Sequence, residues 1–325
     1  MSNPDSIEAF EPILIGGLPQ WLSIRSQHAN LPILLYLHGG PGSPLVPVVN
    51  HFNALLENHF TVVQWEQRGS GKSYHKTIDQ RSMTLDQFIS DLHELIAYLK
   101  TRFSKENVYL LGHSWGSALG LLYAHKYPDD CRAYIGTGQA IYLQAAETIS
   151  YTYTLQKAVQ NKNMKAIRAL KRIGTPPYSG KNDKAIFKQY TTQRKWLTEF
   201  GGQFYDKKNQ HVGMKLLMAY KGYSLMDKLN YLKGLTFSQT TIGKAYLTLN
   251  LFDTVKKVDV PLYFLIGKMD YTTPFELVQT YYEGVQAPHK ELIWFEHAAH
   301  SPMFEEPAAF NEVLIHHILP NTAMQ

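Results

Sequence analysis

The chain has 325 residues, of which 44% are apolar and 18% are charged, and its formal net charge is +5. This composition is typical of a globular protein and excludes an intrinsically disordered chain. The single cysteine, Cys131, excludes an internal disulfide framework and any metal site built from several cysteines, and it favours a reducing compartment such as the cytoplasm. The 14 histidines show no HExxH spacing, so we expect no bound metal.

The N-terminal segment and the apolar runs argue against a membrane location. Residues 1–12 are polar and acidic and lack the basic start and apolar centre of a signal peptide, so we expect none. The longest apolar runs, such as residues 33–37 and 108–111, have the length of strands and are far too short to cross a bilayer. We therefore expect a cytoplasmic protein with no membrane partner.

The first 140 residues alternate between predicted strands and predicted helices. In chain order we predict a hairpin over 9–26, strands over 32–37 and 60–65, a helix over 84–103, a strand over 108–111, a helix over 117–127 and a strand over 132–135. Thr84 is the predicted N-cap of the first helix, and Gln87 completes a capping box. Alternation of this kind is typical of an open parallel α/β sheet.

The composition changes between residues 142 and 240. This segment has helical stretches and almost no buried-strand pattern, and it carries 17 Lys and Arg against 5 Asp and Glu, whereas the rest of the chain carries 15 against 22. We therefore divide the chain into core residues 1–141, a helical cap 142–240 and core residues 241–325. In the last part we predict strands over 261–266 and 291–295 and helices over 273–284 and 308–319.

The GxSxG pattern of a nucleophile elbow occurs at Gly112-His113-Ser114-Trp115-Gly116, directly after a predicted strand and before a predicted helix. The turn is so sharp that larger side chains at the glycine positions would collide, and it lifts the serine hydroxyl above the sheet. We predict Ser114 as a nucleophile, which requires a base and an acid that orients the base. We expect His113 to support the turn.

One aspartate and two histidines follow the predicted strands of the last part. Asp270 comes after the strand 261–266, at the edge where a parallel sheet places its catalytic residues, and is the predicted acid. The base follows the strand 291–295 and is either His297 or His300. Spacing favours His300 and leaves His297 open.

A tetrahedral intermediate needs two hydrogen-bond donors at its oxyanion. We predict the backbone N–H of Trp115, directly after the nucleophile, as one donor. We predict Gly40 as the other, because the glycines of residues 38–42 (HGGPG) let the backbone approach the substrate.

Residues 69–73 (GSGKS) look like the end of a P-loop, but Glu66 stands where that motif requires glycine. We therefore expect no nucleotide and no other cofactor.

Three of these motifs together resemble the proline iminopeptidase branch of the α/β-hydrolase fold. Residues 38–42 look like its HGGPG oxyanion loop, residues 67–73 like its DQRGxGxS loop and residues 112–116 like its GxSWG elbow. The segment from His300 to Pro302 is similar to its base segment, which favours His300 over His297. The resemblance implies a mostly parallel sheet flanked by helices, with an inserted helical cap.

The cap departs from the family in its carboxylates. The resemblance implies that cap carboxylates hold the free α-ammonium group of an aminopeptidase substrate. This cap offers five, namely Glu147, Asp183, Glu199, Asp206 and Asp227. Residues 194–199 resemble a family cap segment, so Glu199 is the candidate substrate-binding residue. The excess of cap cations argues against a cationic substrate, and lysines spread over helices are typical of a solvated face rather than a nucleic-acid groove.

The resemblance implies an aminopeptidase of proline iminopeptidase type, which acts on small-molecule or short-peptide substrates by acyl transfer. An esterase or other non-peptide acyl hydrolase on the same scaffold is the first alternative, and a missing ammonium clamp would favour it. A catalytically silent binding protein is the second alternative, and the complete set of serine, aspartate and histidine argues against it. We expect no nucleic-acid partner, and the sequence leaves the oligomeric state open.

Overall fold

The fold is that of a computed structural model, which describes residues 5–181 and 183–323, apart from the side chains of residues 183, 184, 244 and 323. Eight strands form one sheet in the order β1-β2-β4-β3-β5-β6-β7-β8. The strands are β1 (Ile7–Ile15), β2 (Leu18–Ser26), β3 (Ile33–Leu37), β4 (Thr61–Glu66), β5 (Val108–His113), β6 (Cys131–Thr137), β7 (Leu262–Gly267) and β8 (Lys290–Phe295). The predicted hairpin forms β1 and β2, which pair antiparallel; β2 also joins β4 antiparallel, and all neighbours from β4 to β8 in sheet order are parallel. The predicted α/β fold is thereby confirmed.

Helices cover the sheet and fill the segment between β6 and β7. The first three are α1 (Val46–Phe52), α2 (Leu85–Phe103) and α3 (Trp115–Lys126). After β6 come α4 (Leu143–Gln160), α5 (Met164–Ile173), α6 (Asp183–Glu199), α7 (Val212–Ala219), α8 (Leu225–Thr241), α9 (Gly243–Thr248) and α10 (Leu251–Thr254). The last are α11 (Phe275–Gly284), α12 (Pro302–Glu305), α13 (Pro307–Glu312) and α14 (Leu319–Ala323). The single helix predicted over 308–319 is wrong in detail, because the π-helical turns Val313–Ile318 separate α13 from α14.

The central strands are buried on both faces. Every residue of β3, β5 and β7 is buried, because helices pack on the two sides of the sheet. Alternate residues of β3 therefore enter different cores: Leu35 and Leu37 pack on the side of α2 and α3, whereas Leu34 and Tyr36 pack on the side of the C-terminal helices. This double burial accounts for the continuous apolar runs in the sequence.

The start of α2 corrects one local prediction. Thr84 is the N-cap, as predicted, and its hydroxyl accepts a hydrogen bond from the backbone N–H of Gln87 at 3.2 Å. The Gln87 side chain does not return this bond, since it donates to Asp91 at 2.7 Å. Asp91 is fully buried and forms an ion pair of 2.8 Å with Arg68, so it draws the amide away from the helix terminus.

The segment between β6 and β7 is helical, and its aromatic residues pack both against one another and against the rest of the chain. Tyr151, Trp196 and Phe200 belong to one cluster, while Tyr220 and Tyr223 belong to another. The predicted cap boundary at residue 240 falls in the last turn of α8, and α9 and α10 follow before the sheet resumes. The division of the chain into three segments stays a prediction.

Candidate active site

The GxSxG turn joins β5 to α3 and holds Ser114 in a strained conformation. Ser114 has φ 55° and ψ −119°, a region that residues other than glycine rarely adopt. A Cβ atom on Gly112 would lie 2.4 Å from the carbonyl oxygen of Gly116, and one on Gly116 would lie 2.1 Å from that of Leu37. Close backbone packing therefore requires glycine at both positions. The turn places Ser114 directly before the first residue of α3.

Asp270 and His300 meet at the carboxyl ends of β7 and β8. The Nδ1 atom of His300 lies 2.9 Å from Oδ2 of Asp270. Asp270 is fully buried, and its Oδ1 atom accepts hydrogen bonds from the backbone N–H groups of Thr272 and Thr273 at 2.8 and 2.9 Å. The Thr273 hydroxyl donates to Oδ2 at 2.8 Å. The acid is thus fixed in one orientation, and its bond to Nδ1 leaves Nε2 of the imidazole for a substrate or a nucleophile.

His297 occupies a different place from His300. It is exposed beyond the end of β8, where its backbone N–H donates to Glu306 at 2.8 Å and its ring lies against Tyr205. Of the two histidines that the sequence leaves open, the structure pairs His300 with Asp270.

Side-chain hydrogen bonds connect the three sequence motifs around Ser114. The indole N–H of Trp115 donates to Oε1 of Gln67 at 2.9 Å, and the Gln67 amide donates to the carbonyl oxygen of His38 at 3.0 Å. The backbone N–H of Gln67 donates to Nε2 of His38 at 3.2 Å. Burial lowers the pKa of His38 to about 4, so its neutral ring accepts this bond. These hydrogen bonds join the three motifs into one network around the turn that carries Ser114.

The loop of residues 38–42 passes directly against Ser114. A Cβ atom on Gly39 would lie 2.8 Å from the Cβ atom of Ser114, and Gly40 adopts φ +116°, which favours glycine. The structure therefore brings the loop that contains Gly40 against Ser114 through its neighbour Gly39, while Trp115 follows Ser114 in the chain. Their roles as oxyanion donors stay a prediction.

Tyr246 is a residue of this site that sequence reasoning missed. It lies on α9, its hydroxyl interacts with the Ser114 side chain, and its ring packs edge-on against Trp115 with 5.0 Å between centroids. Burial raises the pKa of the hydroxyl, which therefore stays protonated and can donate. The sequence carries no signal for this role, because the chain has 21 tyrosines and no motif surrounds this one.

Glu147 is the buried carboxylate of the cap. It lies on α4 and forms an ion pair with Arg194 of α6 through Oε1, while Oε2 is buried with no hydrogen-bond partner among the described residues. Burial raises the pKa of Glu147. Both charged groups interact electrostatically with the hydroxyl of Tyr246.

The other cap carboxylates lie elsewhere. Glu199 is half exposed at the end of α6 and forms an ion pair of 2.7 Å with Lys207, so the structure does not bring it to Ser114. Asp206 caps a short helical turn, and Asp227 pairs with Lys72 at 2.9 Å. The side chain of Asp183 lies outside the described residues. Of the cap carboxylates whose side chains the structure describes, Glu147 is therefore the most deeply buried.

Glu305 holds the backbone on both sides of His300. Its Oε2 atom accepts hydrogen bonds from the N–H groups of Ala299 and Ser301 at 2.9 and 3.3 Å, and its Oε1 atom accepts one from Tyr205 of the cap at 2.6 Å. Burial raises the pKa of Glu305 to about 7. The loop that carries His300 is therefore held to the cap as well as to the sheet.

Two further features of the described residues concern metal and membrane binding. Within residues 5–181 and 183–323, no group of three or more His, Cys, Asp and Glu side chains is arranged to hold a metal ion. None of the helices in that part of the chain combines the length and the apolar character needed to cross a membrane.

The sheet order, the helical insertion and the elbow serine define an α/β hydrolase. The chain belongs to the family described as Serine aminopeptidase, S33, which matches residues 32–307. It is 35% identical over 313 residues to the probable aminopeptidase YbaC of Bacillus subtilis, with 96% of each chain covered. It is 24% identical over 301 residues to the proline iminopeptidase of Heyndrickxia coagulans, covering 92% of this chain and 94% of that one.

A solved structure shows the same fold. The proline iminopeptidase-related protein from Thermus thermophilus superposes with a TM-score of 0.67 at 19% identity, covering 95% of this chain and 96% of that one. Together with the family match, these relatives confirm the predicted class of enzyme, a serine hydrolase.

Proposed function

We propose that the protein is an aminopeptidase in which Ser114 is the nucleophile, His300 the general base and Asp270 the acid that orients the base. The observation that carries the proposal is the hydrogen bond of 2.9 Å between Asp270 and His300, at the sheet edge where the strained turn presents Ser114. The names of the relatives, a probable aminopeptidase and a proline iminopeptidase, support the choice of substrate class.

Acyl transfer follows from the chemistry of these groups. His300 takes the proton of the Ser114 hydroxyl through Nε2 while the serine oxygen attacks the carbonyl carbon. The N–H groups of Gly40 and Trp115 stabilise the oxyanion of the tetrahedral intermediate. The protonated His300 then gives its proton to the leaving amine, and the acyl group remains on Ser114. Water, activated by His300, releases the acyl group and restores the serine.

Glu147 supports the aminopeptidase assignment over a general peptidase. A buried carboxylate oxygen without a partner is unfavourable, and a substrate α-ammonium group would supply the missing hydrogen bond and opposite charge. The cap is positively charged as a whole, but charges on its exposed surface are screened over roughly 8–10 Å in physiological salt. A buried carboxylate therefore dominates the potential at its own position. We propose Glu147 in place of Glu199 as the residue that holds the substrate ammonium group.

An esterase is the second candidate, and Arg194 favours it. The guanidinium group of Arg194 already neutralises one oxygen of Glu147, which weakens the attraction of this pair for an ammonium group. An uncharged or anionic acyl substrate has no ammonium group and therefore does not need a free carboxylate in the cap. On either assignment we propose a small-molecule or short-peptide substrate, and we keep the cytoplasmic location as a prediction from the single cysteine.

The assignment is tested by the release of a chromogenic amine from prolyl and alanyl arylamides, compared with p-nitrophenyl acetate and butyrate. We expect cleavage of the arylamides by the wild-type protein, its loss when the substrate is N-acetylated, and its loss in Ser114→Ala. Cleavage of the esters alone, still dependent on Ser114, would replace the aminopeptidase by the esterase. Cleavage of the N-acetylated arylamides would show that the enzyme does not require a free ammonium group on its substrate.

A further inference from the structure

A groove on the outer surface of the cap lies between α5 and α6. Its volume is about 890 Å³, which is within the range of sites for small organic ligands. The side chains that line it include five cations and no carboxylate. The cations are Lys165, Arg168, Arg172, Lys188 and Lys195.

The charge of these cations is not neutralised by carboxylates. None of the five forms an ion pair with a carboxylate among the described residues, and the Lys195 ammonium group lies 5.4 Å from the centroid of the Trp196 ring. Arg168 and Arg172 are one turn apart on α5, a spacing at which like charges destabilise a helix. An anion bound between the two helices would remove this repulsion.

The groove is separate from the candidate active site. On α6, Lys188 and Lys195 are seven residues apart and line the groove, whereas Arg194 points to α4 and pairs with Glu147. The groove also has an apolar wall: Trp196 is buried beneath it, and Met164 is 55% exposed at its rim. Charge and apolar surface therefore meet in one cavity that the proposed hydrolysis does not use.

We propose that this groove binds an organic polyphosphate, with the phosphate groups between α5 and α6 and the organic part against Trp196 and Met164. Two guanidinium groups one turn apart can each bind a phosphate through paired hydrogen bonds, and the lysines add point charges around them. A polyphosphate supplies several negative charges in the small volume available, which a single carboxylate does not. The apolar wall favours an organic polyphosphate over the inorganic ion.

The proposal is tested by calorimetric titration of the full chain at low salt with two probes, inorganic triphosphate and ATP without a divalent cation. We expect the wild-type protein to bind both probes, and ATP more tightly. The double variant Arg168→Gln and Arg172→Gln should bind each probe roughly tenfold more weakly or worse, because each substitution removes charge-assisted hydrogen bonds. Lys188→Gln, on the opposite wall, provides an independent variant in case α5 is perturbed.

The matched control is the double variant Lys215→Gln and Lys233→Gln, which removes the same net charge from exposed cap lysines outside the groove. We expect this control to bind both probes as the wild type does. The proposal is overturned if neither probe binds, if the control loses as much affinity as the groove variants, or if a polyglutamate peptide binds where the phosphates do not. Circular dichroism confirms that each variant is folded.

Discussion

The ring of His113 reaches across the site to the backbone of His300. Its Nε2 atom lies 3.0 Å from the carbonyl oxygen of His300, and the two rings are 4.9 Å apart. Burial and the neighbouring His300 lower the pKa of His113 well below its usual value, so the ring is neutral and donates through Nε2. The residue before the elbow serine therefore ties the turn that carries Ser114 to the loop that carries His300.

The two histidines after β8 give the first prediction. His300→Ala should lower kcat by roughly four to six orders of magnitude, the loss seen when a triad member is removed, because Ser114 then has no base. His297→Ala should leave kcat unchanged, because His297 is exposed and has no contact with Asp270. Steady-state kinetics on an arylamide or an ester compares the pair, and an equal loss in both variants would contradict the assignment of the base.

The cap carboxylates give the second prediction. Glu147→Gln should raise KM for an aminoacyl arylamide with a free amine roughly tenfold or more, because the substrate ammonium group loses its charged partner. The amide oxygen of the glutamine can still accept a hydrogen bond from Arg194. Glu199→Gln is the matched control and should leave KM unchanged, since Glu199 is half exposed and paired with Lys207. Should the control change KM and Glu147→Gln leave it unaltered, Glu199 would be the clamp after all.

The tyrosine beside the nucleophile gives the third prediction. Tyr246→Phe removes the hydroxyl that interacts with the Ser114 side chain but keeps the ring against Trp115. We expect kcat to fall about tenfold, the equivalent of one hydrogen bond, with no change in the melting temperature. Tyr151→Phe is the control, because Tyr151 is also a buried tyrosine but its hydroxyl donates to the carbonyl oxygen of Leu170. Equal kcat values in the wild type and Tyr246→Phe would contradict a role for this hydroxyl.

The buried Glu66 gives the fourth prediction, a dependence of stability on pH. It accepts hydrogen bonds from the Tyr223 hydroxyl of the cap and the Lys72 backbone, and burial raises its pKa from 4.5 to about 7. The folded state therefore holds this proton more tightly than the unfolded state does. The resulting contribution to stability is fully present below pH 4.5 and is lost as the pH rises through about 7.

Denaturant unfolding at pH 5 and pH 8 tests this dependence. From pH 5 to pH 8 the free energy of unfolding of the wild type should fall by on the order of 3 kcal/mol more than that of Glu66→Gln. The variant lacks this contribution because glutamine has no proton to release. Glu199→Gln serves as the exposed control and should follow the wild type. A wild type and Glu66→Gln whose stabilities change in parallel would show that Glu66 does not titrate in this range.

The sequence predicted those parts of the site that depend on local structure. The strain at Ser114 and the glycines around it belong to one turn, and Asp270 and His300 lie in the short loops that follow β7 and β8. Tyr246, Glu147 and Glu305 belong to a different class, because their roles arise from how the cap packs on the core. No motif surrounds Tyr246 or Glu147, and the nearness of Glu305 to His300 in the chain does not reveal which backbone groups its side chain binds, so periodicity and spacing carry no signal for these contacts.

Glu199 illustrates the same limit. Its neighbours in the sequence resemble a cap segment of the family, yet its place at the end of α6 turns it to solvent and to Lys207. Which side of a helix faces the site depends on the orientation of the whole helix, and the resemblance of six residues does not determine it. The buried position instead belongs to Glu147, on another helix.

Labelling with a fluorophosphonate tests the central claim, that Ser114 is the activated nucleophile, most directly. Such a probe reacts with a serine whose base is in place, and mass spectrometry of the digested protein locates the adduct. We predict a single adduct on Ser114 in the wild type and none in Ser114→Ala, whose circular dichroism remains that of the wild type. An adduct on another residue, or undiminished labelling of Ser114→Ala, would contradict the account.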